Sequence, residues 1–239
     1  EKTREQGIFV QTNRPYLPTD ENNLVYKAAK LLIDEFRIRE GVRIDLKKYL
    51  PVAAGMAGGS SDAAAVLYGM NRMFHLGLTT EELMKRGVVI GADIPFCIMR
   101  GTVLAEGIGE ILTPLPNTLQ CHVVIAKPPV SVSTGSVYEK LDSLNAYCHP
   151  DIDGMVRAIT AGDLNGMVKY LGNSLEDVTV KICPDIASIE ALMKECGALG
   201  AIMSGSGPTV FGLFEAQNEA QTAIDRLKEL FDAEWVNVQ

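Results

Sequence analysis

Residues 51–62 read Pro-Val-Ala-Ala-Gly-Met-Ala-Gly-Gly-Ser-Ser-Asp. Gly55, Gly58 and Gly59 leave the main chain with little side-chain cover, and Ser60, Ser61 and Asp62 follow directly. Ala63, Ala64, Ala65, Val66, Leu67 and Met70 then form an apolar run of good helix propensity. The spacing predicts a glycine-rich loop that feeds a buried helix, with Ser60 or Ser61 as its N-cap. The first turn of a helix carries unpaired N–H groups at the positive end of the macrodipole. Glycines let an anion reach that main chain, so the junction suits a phosphate. No Gly-Lys-Ser/Thr occurs, so this is not a Walker A loop, and the stretch lacks the G-x-G-x-x-G of a dinucleotide site. A flexible turn before a core helix is the structural alternative.

Two further places could do chemistry. Asp93 interrupts an apolar run between Ile90 and Ile94, an unusual place for a carboxylate. It is read either as the cap of a short helix that starts at Ile94-Pro95 or as a metal ligand or general base. The second place is the glycine cluster from Gly197 to Pro208, whose Gly205-Ser206-Gly207-Pro208 is read as a hairpin turn or as a second set of amides near an anion. Ser133 and Thr134 precede a helix around 136–141, and plain N-capping is their structural role.

The elements that must position these residues follow from periodicity. Ile8 to Gln11 is a strand. Leu24, Ala28, Leu31, Leu32 and Phe36 form a helical stripe over 23–38, entered at Asn22 or Asn23. Val42, Ile44 and Leu46 alternate with charged residues as a half-buried strand that runs into Pro51. Thr79 or Thr80 caps a helix with Glu81 and Glu82 in its first turn. Residues 101–106 and 108–115 read as two strands joined tightly at Gly107, and 117–120 as an inter-domain link. A strand over 123–126, two short helices within 151–171, and a helix over 184–196 follow. Strands over 199–203 and 209–214 flank the second glycine cluster. A helix over 218–230 and a strand over 234–238 close the chain.

The chain has 239 residues, of which 47% are hydrophobic and 22% charged, enough for one large or two modest domains with real cores. A net charge of −8 excludes a broad basic surface for nucleic acid or anionic membrane. Five scattered cysteines without a C-x-x-C point to reduced thiols in a cytoplasmic protein rather than a disulfide frame or a zinc site. The three histidines lack ligand spacing. No signal peptide or membrane span is visible.

Taken together in order and spacing, these segments resemble the GHMP kinases, a superfamily of small-molecule kinases. The superfamily's loop, P-x-x-x-G-L-G-S/G-S-S, stands here as Pro51, Val52, Ala53, Ala54, Gly55, Met56, Ala57, Gly58, Gly59, Ser60 and Ser61. NLVYKAAKLL at 23–32, GADIPFCI at 91–98, AEGIGEILTPLP at 105–116 and PVSVSTGSVYEKLD at 129–142 resemble the branch that acts on a cytidine diphosphate-linked methylerythritol in non-mevalonate isoprenoid synthesis. The resemblance covers nearly the whole chain. It implies a two-domain α+β architecture: a ribosomal protein S5 domain 2-like N-terminal domain over 1–118, and a ferredoxin-like α/β sandwich over 119–239, with the site in the inter-domain cleft. It implies transfer of phosphate from ATP to an alcohol. Residues 51–61 would hold the ATP phosphates, Ser61 would face Mg²⁺, Asp93 would be the catalytic base, and Ser133 and Thr134 would lie on the substrate side. Homoserine- or mevalonate-type kinases and a catalytically silent ATP-binding protein are the alternatives. A monomer and a homodimer both fit.

Two departures from the family pattern carry expectations. Met56-Ala57 replaces Leu-Gly, so Ala57 must keep negative φ or accept strain. The family's N-terminal segment, with a lysine that pairs with the catalytic aspartate and a G-Y-H stretch that meets the cytidine, has no match. The chain by itself is therefore expected to be inactive, and its first sheet to expose an edge open to a second chain.

Overall fold

The structure is a computed structural model that describes residues 1–116, 119–144, 149–231 and 235–238. Cys148, Asn117, Thr118 and Glu234, on which some of the readings above fall, lie outside the described residues. The chain separates into two compact units. One is Glu1–Leu50 with Ala57–Pro114, and the other is Pro51–Met56 with Leu115–Gln239.

In the first unit, strands β1 (Lys2–Thr3), β2 (Ile8–Thr12) and β3 (Gly41–Leu46) form a sheet of order β1-β3-β2. β2 and β3 run parallel, with Ile8 opposite Val42 and Thr12 opposite Leu46. Parallel neighbours need a crossover, and helix α1 (Leu24–Phe36) supplies it. Asn23 caps α1 by accepting from the Val25 amide. Helices α2 (Gly58–Met73), α3 (Thr80–Ile90) and α4 (Ile94–Met99) complete the layer. Thr79 and Glu82 form a reciprocal capping box on α3. The core joins Ala28 and Leu32 of α1 to Val42 of β3, to Ala63, Ala64, Leu67 and Met70 of α2, and to Leu83 and Ile94. The small residues of α2 let it lie close to α1, where the 3.6 period predicts an apolar face.

Strands β4 (Thr102–Glu106) and β5 (Ile111–Leu115) pair as a two-stranded sheet. The tight join at Gly107 is corrected: β5 starts at Ile111, and the connection needs positive φ at both Gly107 (71°) and Gly109 (108°). Glu110 stabilises it by accepting from the Ile108 amide at 2.7 Å, which takes Ile108 out of the strand.

In the second unit, an antiparallel sheet of order β7-β8-β6-β9 contains β6 (His122–Lys127), β7 (Gly200–Met203), β8 (Val210–Phe214) and β9 (Trp235–Val238). The unit also contains helices α5 (Thr134–Asp142), α6 (Ile152–Ala161), α7 (Leu164–Val168), α8 (Glu176–Ile182), α9 (Asp185–Glu195) and α10 (Gln217–Leu230), of which α9 and α10 pack on the sheet. Its core gathers Val124, Val210 and Phe214 from the sheet with Ile186, Ile189, Met193, Ile224 and Leu227 from α9 and α10. α8 carries no periodic signal, because it spans two turns and opens on two acids, Glu176 and Asp177.

Candidate active site

The glycine-rich loop differs from its expected form in one respect that matters for ligand binding. Helix α2 begins at Gly58, and its N-cap position is Ala57, with no side-chain cap bond. Ser60 and Ser61 are therefore not N-caps but lie inside the first turn. A capping serine would occupy a first-turn amide with its own hydroxyl; here none does. The amides of Ala57, Gly58, Gly59 and Ser60 donate no hydrogen bond among the described residues. Four consecutive donors thus remain at the positive end of a 16-residue helix. The Ser60 and Ser61 hydroxyls likewise make no hydrogen bond among the described residues, and Ser61 is exposed.

Ahead of the helix, φ is positive at every second residue: 53° at Ala53, 69° at Gly55 and 47° at Ala57. Such alternation turns successive amides to one side, which is how main chain makes an anion-binding nest. Ala57 takes the strained alternative rather than negative φ, and Ala53 does the same. A left-handed non-glycine residue costs on the order of 1–2 kcal/mol, and strain of this kind gathers at ligand sites. Pro51–Met56 belongs to the second unit, where Ser204 Oγ donates to the Gly55 carbonyl at 2.8 Å. A Cβ on Gly55 would stand 2.3 Å from the Ser204 carbonyl oxygen, so glycine is required there.

A partly buried ion pair lies at the start of α2. Lys48 is 6% exposed, and its Nζ meets Asp62 Oδ2 at 2.5 Å. Its main chain is fixed by Asn13, which accepts from the Lys48 amide at 2.7 Å and donates to its carbonyl, as Arg14 also does. The ammonium passes beneath Gly58, where a Cβ would stand 2.9 Å from Nζ. A side chain at 58 would therefore have to displace the Lys48 ammonium from its place beside Asp62. The sequence reading missed Lys48, although one signal was present. Lys48 continues the inward phase of Val42, Ile44 and Leu46, and Lys47 does not.

Asp93 occupies the N-cap position of α4, and Ile94 and Pro95 behind it are buried. Its side chain makes no cap bond, and the residue is exposed. Asp93 thus takes the cap position read for it without the cap bond, and the apolar run around it does not enclose the carboxylate. One turn on, the Cys97 thiol is pushed up mainly by burial and further by the charges of Asp93 and Asp62. Both carboxylates therefore act on the same stretch of the first unit.

The second glycine cluster is a hairpin turn between β7 and β8, with Gly205 and Gly207 at positive φ and a cis bond before Pro208. Its carbonyls are engaged by side chains. Asn173 Nδ2 donates to Met203 O at 2.9 Å and to Gly205 O at 2.8 Å, and Thr179 Oγ1 donates to Ser206 O at 3.1 Å. The amides of Gly205 and Ser206 donate to nothing among the described residues. Ser133 stands at the N-cap of α5 without a side-chain cap bond, which corrects the capping role read for it. Thr134 Oγ1 instead shares a hydrogen bond with Ser206 Oγ at 2.9 Å.

Profiles of known families match both halves. The GHMP kinases N terminal domain matches residues 23–101, and the GHMP kinases C terminal region matches residues 155–233. The chain belongs to the GHMP kinase family. This GHMP kinase is 57% identical over 210 residues to a 4-diphosphocytidyl-2-C-methyl-D-erythritol kinase of Lachnospira eligens, covering 88% of the chain and 73% of the relative. It is 53% identical over 226 residues to the protein of that name from Lachnoclostridium phytofermentans, covering 95% and 78%. Among solved structures, a 4-(cytidine 5'-diphospho)-2C-methyl-D-erythritol kinase superposes with a TM-score of 0.78 at 31% identity, over 98% of this chain and 82% of the other. A homoserine kinase from Cytophaga hutchinsonii superposes with a TM-score of 0.81 at 21% identity, over 100% and 82%, a likeness of fold. The fold is therefore the α+β architecture that the resemblance implied. Among the described residues, no helix is long and apolar enough to cross a membrane.

Proposed function

We propose that this GHMP kinase transfers the γ-phosphoryl group of ATP to the 2-hydroxyl of 4-diphosphocytidyl-2-C-methyl-D-erythritol. The unpaired amides over 57–60 are the observation that carries the donor half of this reading. The relatives that are 57% and 53% identical supply the acceptor. Residues 51–61 (Pro51, Val52, Ala53, Ala54, Gly55, Met56, Ala57, Gly58, Gly59, Ser60 and Ser61) form the phosphate cradle. Phosphoryl transfer needs positioning and charge stabilisation more than covalent chemistry, and preset amides at a helix N-terminus provide both without reorganising.

Asp93 is the proposed base. An exposed carboxylate that caps nothing is available to accept the proton of the attacking hydroxyl. Among the described residues no group of three or more His, Cys, Asp or Glu side chains could cage a metal. Magnesium commonly takes one or two protein oxygens and completes its shell with phosphates and water, so the free Ser61 hydroxyl fits it. When bound with ATP, the ion would offset charge on the phosphate oxygens. Lys48, tied to Asp62, keeps the Asp62 charge from opposing phosphate at the helix start. We place the activity in the cytoplasm and assign the domains to 1–118 and 119–239.

The test is an acceptor panel with the protein expressed from its complete reading frame. ATP-dependent phosphorylation of the diphosphocytidyl methylerythritol, with homoserine and mevalonate at least 10²-fold poorer (an order-of-magnitude expectation for a site built to hydrogen-bond one acceptor), is the expected result. Preference for homoserine or mevalonate would assign a different GHMP kinase, and nucleotide binding without turnover would make the protein catalytically silent.

A further inference from the structure

The segment from Asn173 to Thr179 has no part in the function described so far, yet it grips the second glycine turn. Asn173 donates to the carbonyls of Met203 and Gly205, while its own Oδ1 accepts from the Leu175 amide at 3.0 Å. All of its polar capacity but one lone pair is thereby used. Glu176 Oε2 accepts from the Met203 amide at 2.9 Å. Thr179 is fully buried, and its hydroxyl lies 3.1 Å from the Ser206 carbonyl oxygen and 3.2 Å from the Leu175 carbonyl oxygen one turn back, so its one proton is shared between the turn and α8. Three side chains within seven residues thus hold main-chain groups of Met203, Gly205 and Ser206 on one side. The turn's own bonds, Ser204 N to Thr209 O at 2.8 Å and Gly207 N to Ser204 O at 2.9 Å, would leave it free to pivot about the strand ends. The side chains remove that freedom. The turn then passes the restraint on, because Ser204 Oγ donates to the Gly55 carbonyl in the middle of the phosphate loop.

We propose that Asn173, Glu176 and Thr179 are positioning residues for the nucleotide: they set the 204–208 turn, and through Ser204 they set the peptide planes around Gly55. The inference rests on the reading of residues 51–61 as a phosphate cradle. Each peptide carbonyl points opposite to the following amide, so fixing the Gly55 carbonyl fixes the direction of the Met56 N–H. Loss of a buried donor leaves the carbonyl it served unsatisfied, which tilts the turn rather than unfolding the unit.

The variants are Thr179→Val, which keeps the shape and removes the hydroxyl, Thr179→Ser, which keeps the hydroxyl, and Asn173→Ala. In the complete protein, KM for ATP, KM for the acceptor and kcat are measured beside the thermal midpoint, and ADP affinity is read by calorimetry without turnover. Thr179→Val and Asn173→Ala are expected to raise KM for ATP and Kd for ADP by about tenfold, the effect of one or two lost hydrogen bonds. The acceptor KM should stay within about twofold, the range of a site that has lost no contact, and Thr179→Ser should restore nucleotide affinity. Unchanged nucleotide affinity in folded Thr179→Val and Asn173→Ala would overturn the proposal, as would Thr179→Ser behaving like Thr179→Val. Absence of phosphoryl transfer by the unsubstituted protein would sink the proposed function alone, because ADP affinity still judges the positioning role. Absence of ADP binding by the unsubstituted protein would overturn both.

Discussion

The two glycine clusters reach rigidity by opposite routes. The 204–208 turn is held from outside: side chains of Asn173 and Thr179 engage its carbonyls, and Glu176 holds the amide of Met203. The 51–61 loop has little such support, since Ser204 on the Gly55 carbonyl is its one side-chain bond among the described residues. It is shaped instead by positive φ at Ala53, Gly55 and Ala57 and by the helix that begins at Gly58. A loop with its donors saturated by protein could not bind an anion, and a loop with no restraint would lose entropy on binding. The turn supplies order to the loop through Ser204 on the Gly55 carbonyl, and the loop itself supplies the donors.

The largest effect is expected where the two clusters touch. Gly55→Ala places a Cβ 2.3 Å from the Ser204 carbonyl oxygen at a φ of 69°, so both backbones must move. A stability loss of roughly 2–4 kcal/mol in urea unfolding and loss of measurable ADP binding are expected. Retention of wild-type affinity would mean that the contact does not shape the loop.

A carboxyl beside the support of the second cluster is shifted into the neutral range. Glu190 is pushed up to about 7 by burial and by the neighbouring Glu176 charge, and its Oε1 has no partner among the described residues. Its folded value lies above the ordinary 4.5. The stabilisation is therefore complete below about 4.5 and is lost as pH rises through about 7. The unfolding free energy of the wild type from urea titrations should fall across that window by an amount on the order of 2 kcal/mol, and Glu190→Gln should remove the slope. An identical slope in the variant would show that the carboxyl pair under Met203 is not what titrates.

The smallest effect belongs to the first cluster. Ala57→Gly relieves a left-handed alanine at 47° and should stabilise the fold by about 0.5–1 kcal/mol, with ADP affinity changed by less than about threefold, the spread of a substitution that leaves every contact in place. A destabilised variant would mean that the alanine methyl packs usefully.

Much of this arrangement was legible in the sequence, for definite reasons. The stripe from Leu24 to Phe36 and the alternation Val42, Ile44, Leu46 are periodic signals over a single buried face, and α1 and β3 follow them. Thr79 with Glu82 is a capping box, and α3 starts there. The start of α2 was misjudged because serine is a good cap in general, whereas a ligand site benefits from an uncapped end; the main chain solves the turn with Ala57 instead. Helix α8 and the Asn173 grip were not legible. Their partners, Met203, Gly205 and Ser206, are about thirty residues away in sequence, and no local pattern records a side-chain bond to a distant carbonyl. Lys48 carried a signal in the inward phase of β3, but its pairing with Asp62, 14 residues on, did not, since no periodic pattern links a strand end to the next helix.

The central claim joins a phosphate cradle to a single base, and Asp93→Asn in the complete protein tests it most directly. The measurements are kcat for phosphorylation of the diphosphocytidyl methylerythritol and Kd for ADP, taken on the same preparation. The account predicts a kcat lowered about 10²–10⁴-fold with nucleotide affinity within about twofold of wild type, since the carboxylate is assigned to the proton and not to the phosphates. A variant that keeps near-wild-type kcat would contradict it.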